Sequence, residues 1–294
     1  PRTVRLSARS FSFCLEPMGS EMNERTAIRL DAVSKRFRLW KRGPKGAWWR
    51  RQRDTKMALK PLDLEVAAGG VTGIIGPNGS GKSTLIRILG TLLTPDSGSA
   101  SVFGLDVVDE AAAVRRHINR VSVEASFFKE LSCWENMLYA ARLYGSADAR
   151  TRSRVEDLMA RLGLSGDILD RPMKQLSRGQ QQKVSIARSF MTTPSLLLLD
   201  EPTTGLDPRS KREVQEVLAS LRSEREVTVL LCTHDLAEAA TLSDRVIMLD
   251  QGAALADGTP DELCARFSQP NLEEVFMHLS GKSLEEDEEE ELVT

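Results

Sequence analysis

No apolar run in this 294-residue chain approaches the roughly 18–20 residues that a membrane-crossing helix requires. The longer runs, such as Leu196–Leu199, have the length of a buried strand. If the protein acts at a membrane, another polypeptide crosses it. Cysteine is scarce as well. Cys14, Cys133, Cys232 and Cys264 are scattered, with no CxxC pair and no metal-ligand spacing, which reads as isolated reduced thiols. A secretory signal is also lacking, because the first 20 residues are basic without a continuous apolar core. Position 1 is not Met, so residues 1–24 are expected to be a leader or disordered segment, with Met18 or Met22 as natural starts.

Apolar residues make up 41% of the chain and charged residues 28%, the composition of an ordinary globular protein rather than a disordered or fibrous one. Net charge is −2, but Glu285–Glu291 is an unbroken run of seven acids, so the rest of the chain carries +5. Such a block repels itself and is expected to remain a solvated tail.

Strand-like and helix-like segments alternate. Ala27–Phe37, Leu62–Val66, Val71–Ile75, Leu196–Asp200 and Val227–Thr233 read as strands, and Arg245–Leu249 pairs with Ala253–Ala256 across an Asp-Gln-Gly turn. Lys82–Leu93 reads as a helix with Leu85, Ile88, Leu89 and Leu92 on one face. Trp134–Tyr144, Arg150–Leu162 and Gln180–Met191 are further helices. The pattern predicts an α/β domain around a mainly parallel sheet, interrupted over about residues 127–178 by a helical subdomain. Arg38–Lys56 is dense in Arg and Lys, with Trp40, Trp48 and Trp49 and with Gly and Pro breakers, and is expected to be a loop inserted between two strands. Either it is simply solvated, or its charge engages lipid headgroups or a membrane partner, at about 1 kcal/mol per basic residue near an anionic leaflet.

Gly76-Pro77-Asn78-Gly79-Ser80-Gly81-Lys82-Ser83 fits the phosphate-loop pattern, with a buried strand before it and a helix after it. Its glycines let backbone N–H groups converge on an anion, and the helix start adds its positive dipole end. Lys82 is expected to neutralise the β- and γ-phosphates and the Ser83 hydroxyl to ligate Mg²⁺, with Thr84 alongside. Asp200 and Glu201 end an apolar strand at the same sheet edge. Asp200 suits Mg²⁺, and Glu201 suits the orientation or deprotonation of an attacking water. His234 ends another apolar strand.

Leu176-Ser177-Arg178-Gly179-Gln180 resembles the LSGGQ motif of ABC ATPases, and Glu201-Pro202-Thr203-Thr204-Gly205-Leu206-Asp207-Pro208 resembles their Walker B end and D-loop. His234 then falls at the switch-histidine position and Phe37 at the adenine-stacking aromatic. The resemblance covers about Ala27–Gly258. It implies a phosphate-loop, RecA-like core with an antiparallel β subdomain, over residues 25–265. It also implies a head-to-tail homodimer, or a pair with a second ABC subunit, enclosing two ATP molecules. Each ATP would be held by one protomer's phosphate loop and by the other's Ser177, Gly179 and Gln180, with Asp207 at the seam. Separate transmembrane permease subunits would place the protein at the cytoplasmic face of the membrane. No nucleic acid is expected; the alternative is a soluble ABC ATPase acting on nucleic acid or ribosomes.

Two positions depart from the family pattern. Arg178 replaces the first glycine of LSGGQ, and Val123 stands where the Q-loop glutamine is expected, leaving the adjacent Glu124 as the substitute oxygen ligand for Mg²⁺. Finally, Leu272–Gly281, within a C-terminal segment over 266–294, is similar to the end of daunorubicin-resistance-type ATPases that serve ABC-2-type exporters. It also suits an amphipathic helix packing Leu272, Val275, Phe276 and Leu279 on the domain.

Overall fold

The computed structural model describes residues 26–41, 52–122, 126–145, 147–192, 194–224 and 227–281. The expected leader, residues 42–51 of the basic insert, Val123, Glu124 and the acidic run lie outside the described residues.

In chain order the strands are β1 (Thr26–Lys41), β2 (Gln52–Ala67), β3 (Gly70–Ile75), β4 (Ser97–Val102), β5 (Leu105–Asp106), β6 (Ile118–Val121), β7 (Leu196–Asp200), β8 (Thr228–Thr233), β9 (Arg245–Asp250) and β10 (Ala253–Gly258). The helices are α1 (Lys82–Leu89), α2 (Ala111–His117), α3 (Cys133–Leu143), α4 (Thr151–Arg161), α5 (Arg178–Ser189), α6 (Pro208–Glu224), α7 (Leu236–Leu242), α8 (Pro260–Phe267) and α9 (Leu272–Ser280).

Six strands form one sheet in the order β10-β9-β3-β8-β7-β6, parallel throughout except for the β9–β10 hairpin. Its central strands are buried on both faces, which is why they read as continuous apolar runs rather than as alternations. In β7, Leu197 and Leu199 enter a core shared with the helical subdomain, whereas Leu196 and Leu198 enter a second core beneath α1 and the other sheet. The alternating leucines therefore join two cores through one strand. The second sheet, β2-β1-β4-β5, is antiparallel. Between residues 126 and 177 the described residues hold helices and turns without a named strand, as the break in alternation predicts.

Two expectations need correction. Helix α1 ends at Leu89, not Leu93, because Gly90 caps it and Thr91 takes a left-handed φ of 57°. Leu92 is consequently 64% exposed rather than part of the apolar face. The insert is not a loop across its whole length: β1 and β2 continue as an antiparallel ribbon through the pair Lys41↔Gln52. Its cross-strand pairing overrides the local Gly and Pro signals on which the loop reading was based.

Helix α9 is amphipathic as expected. Leu272, Val275 and Phe276 are buried in a third core with α7, β9 and α8, and Leu279 packs against it.

Candidate active site

Strand β3 delivers Gly76 to the sheet edge, where a side chain has no room: a Cβ there would stand 1.9 Å from the Leu249 carbonyl oxygen. Gly79 and Gly81 take φ of 75° and 111°, the left-handed region that glycine occupies without steric cost. Gly81 is also the N-cap of α1 and offers no side-chain cap, so the first N–H groups of the helix stay open toward the loop. Lys82 follows, 5% exposed, its Nζ donating to the carbonyls of Gly76 (2.6 Å) and Pro77 (3.0 Å).

The ammonium group also lies 3.5 Å from Glu201 Oε1, so the loop and the end of β7 meet. Ser83 Oγ donates to Asp200 Oδ1 at 3.0 Å. Burial pushes the Asp200 carboxyl above its usual range, partly offset by the Ser83 hydrogen bond. Glu201 behaves oppositely: burial pushes it up, but the hydrogen bond from His234 and the charge of Lys82 win and hold it below. Adjacent acids thus receive different roles from different surroundings. Glu201 Oε2 lies 2.6 Å from His234 Nδ1 and accepts from Thr204 Oγ1 at 2.9 Å. Glu201 itself has a φ of 53°. For a residue with a Cβ this costs roughly 1–2 kcal/mol and persists only where the surroundings fix it.

A cleft of about 310 Å³ opens over this constellation, lined by Phe37, Lys56, Ala58, residues 78–84 and Glu201. Its lining suits a nucleoside triphosphate. Ser80 and Glu201 line the cleft, and Ser80 Oγ and Glu201 Oε1 are buried without a hydrogen-bond partner among the described residues. Among the described residues no three His, Cys, Asp or Glu side chains cluster as a cation cage. Ser83 and Asp200, 3.0 Å apart, are the oxygen-bearing side chains at this edge that could hold a divalent cation.

The structure brings Phe37, Asn78, Gly79, Ser80, Gly81, Lys82, Ser83, Thr84, Asp200, Glu201 and His234 to one edge. Ser177, Gly179, Gln180 and Asp207 do not line that cleft. Ser177 caps α5 in a reciprocal box with Gln180: Ser177 Oγ accepts from Gln180 N at 3.2 Å and Gln180 Oε1 from Ser177 N at 2.9 Å. Asp207 Oδ1 accepts from the Arg209 and Ser210 amides, both at 3.1 Å, and the Ser210 hydroxyl first, then its amide, hold the Asp207 carboxyl below the usual range. Gly179 sits against it, with Ser210 Oγ 2.6 Å from where a Cβ would be. Sequence reasoning missed Lys56, which pairs with Phe37 across the ribbon and joins it in the cleft. No local signal marks Lys56; only the strand register does.

Residues 59–204 match the ABC transporter family. The chain is 48% identical over 206 residues to the daunorubicin/doxorubicin resistance ATP-binding protein DrrA of Streptomyces peucetius, covering 70% of this chain and 62% of that protein. It is 42% identical over 240 residues to the daunorubicin resistance ATP-binding protein DrrA3 of Streptomyces coeruleorubidus, covering 82% and 70%. The chain belongs to the ABC transporter ATP-binding proteins. A solved dimeric ATP-binding cassette in a post-hydrolysis state with ADP and Pi superposes with a TM-score of 0.68 at 29% identity, covering 79% of this chain and 98% of that one. In this ABC cassette the mixed sheets and the phosphate loop are those of that fold. No helix of the cassette among the described residues is long and apolar enough to cross a membrane.

Proposed function

We propose that two copies of this chain, or one copy and a second ABC subunit, close head to tail around two Mg²⁺-bound ATP molecules, and that hydrolysis reopens them to drive an ABC-2-type exporter. The observation that carries the hydrolytic reading is the 2.6 Å contact between His234 Nδ1 and Glu201 Oε2 beside Lys82, at the mouth of the phosphate-loop cleft.

The chemistry follows from these residues. Water adds to the γ-phosphorus as the bond to the β–γ bridging oxygen breaks, giving ADP and inorganic phosphate. Glu201, kept ionised by its neighbours, orients that water and takes its proton. His234 fixes the carboxylate. Lys82 leaves its two loop carbonyls for the β- and γ-phosphate oxygens, whose charge repays the exchange. Ser83 and Asp200 would hold Mg²⁺, which would supply charge neutralisation to the triphosphate. Phe37 offers its ring to the base.

The dimer reading rests on the α5 N-terminus: its capping box takes up the Ser177 and Gln180 amides and leaves those of Arg178 and Gly179 for a second anion cradle, which the cleft of its own protomer does not use. Membrane coupling needs an apolar landing surface. Phe128, Tyr139, Leu143 and Tyr144 supply one: they are exposed around a groove of about 430 Å³ between the helical subdomain and the β6 edge. The exporter class rests on Leu272–Gly281 and on the drug-resistance names of the relatives, which make anthracyclines the first cargo to test. In purified chain with Mg-ATP, Glu201→Gln is expected to bind nucleotide, lose turnover and accumulate as a dimer on size exclusion with light scattering. A monomer in saturating ATP would count against the proposal.

A further inference from the structure

A second carboxylate, Glu238 on α7, lies behind the catalytic pair and is 2% exposed. Its Oε1 accepts from Thr203 Oγ1 at 2.8 Å and from Gln215 Nε2 at 3.2 Å, and its Oε2 from Thr233 Oγ1 at 2.9 Å. Thr203 and Thr233 are themselves buried. Thr203 follows Glu201 by two residues, and Thr233 immediately precedes His234. Further bonds close the turn: the Glu238 amide donates to Asp235 Oδ1 at 2.8 Å, and the Asp235 amide donates to Thr233 Oγ1 at 3.0 Å.

We infer that Glu238 is a positioning residue for hydrolysis: one buried carboxylate ties together the two chain segments from which Glu201 and His234 project. The inference rests on the hydrolytic reading above. Three features support it over a role in stability alone. A buried carboxylate held only by neutral donors is a poor stabiliser, because its desolvation offsets what the bonds return. Among the described residues no Lys or Arg pairs with it; the nearby Lys211 pairs with Asp235 instead. Its partners also flank the functional pair rather than some remote turn. The left-handed Glu201 needs bracing on its C-terminal side, and the Thr203 bond to Glu238 supplies it. Other charged groups facing the pair are Lys82, Asp200 and Asp235, with Arg120 acting on Asp200 and Lys211 on Asp235.

The full chain with Glu238→Ala and Glu238→Gln tests this. Glu238→Ala is expected to lower kcat about ten- to hundredfold with KM for ATP within about twofold, and the isosteric Glu238→Gln to recover most of the loss. The ring of His234, assigned among three histidines by NMR, reports independently of turnover. Its titration midpoint should move in Glu238→Ala and return in Glu238→Gln. Unmoved midpoints, or a kcat in Glu238→Ala equal to the parent, overturn the inference. Should Glu238→Ala not fold, Thr203→Val and Thr233→Val each remove one tie, and a parental His234 midpoint in both has the same consequence. Equal turnover by the parent and Glu201→Gln would refute the hydrolytic reading alone, while the His234 midpoints still decide the role of Glu238.

Discussion

The Arg178 guanidinium occupies the space where a side chain on Gly205 would be: a Cβ built there stands 2.6 Å from Nη1 and 2.8 Å from Cζ. The departure from LSGGQ is therefore accommodated within the chain, by the glycine of the D-loop-like turn. Gly205 is at φ 71°, so Ala costs roughly 1–2 kcal/mol from backbone alone, plus the displacement of Arg178. In an Arg178→Gly background only the backbone part should remain. Thermal unfolding of the four variants of this cycle gives the coupling directly; a coupling of zero means that the contact carries no energy.

Glu201→Gln keeps the shape of the side chain and removes its basicity. Steady-state ATPase activity should fall by roughly 10²–10⁴-fold, while nucleotide affinity, measured by fluorescent-nucleotide titration, stays near the parent value.

Magnesium affinity should depend on pH through Asp200. Burial raises its carboxyl above the ordinary aspartate range, and only an ionised carboxylate can hold a cation. Affinity is thus lost as pH falls through that raised value, at a higher pH than for an ordinary aspartate, and binding in that window releases a proton. Without Mg²⁺ the sign for stability is reversed: burial of the charged form costs stability above the raised value, and protonation relieves it. Glu201, held low, contributes stability above its unfolded value and loses it only as pH falls through its depressed folded one. Isothermal titration in two buffers of different ionisation enthalpy checks the proton count.

Gly76→Ala places a methyl group 1.9 Å from the Leu249 carbonyl and 2.9 Å from Ser80 Oγ. Backbone has to move, at about 1–3 kcal/mol of stability, and the phosphate cradle moves with it. A melting temperature and an ATP affinity both equal to the parent would contradict the packing described.

Removing the ring of Phe37 should weaken nucleotide binding by about 1–3 kcal/mol, the usual worth of a base on an aromatic face. The loss should be similar for ATP and ADP if the ring stacks on the base, as proposed, rather than meeting the phosphates. Competition binding with the two nucleotides measures it.

Much of this was legible in the sequence because the chemistry is local. The phosphate loop, Asp200 with Glu201, and His234 each sit at the end of an apolar strand, and a parallel sheet carries all such ends to one edge. What stayed hidden is long-range. Thr203, Gln215 and Thr233 meet Glu238 only after α6 and α7 have packed, so no spacing announces them. Lys56 reaches the cleft through a register 19 residues from Phe37 in the chain. Leu92 keeps the helical period beyond α1, although Gly90 already ends the helix.

The strand end at Leu249 and the turn after it also reach back to the phosphate loop. Gly252 N donates to Ser80 O at 2.9 Å, Lys60 N donates to Gly252 O at 2.8 Å, and the Leu249 carbonyl forms the wall behind Gly76. The nucleotide pocket is thus a closed ring in which residues late in the chain brace those near its beginning. Damage to the β9–β10 turn should therefore surface as poor ATP retention, far along the polypeptide from any residue that touches ATP.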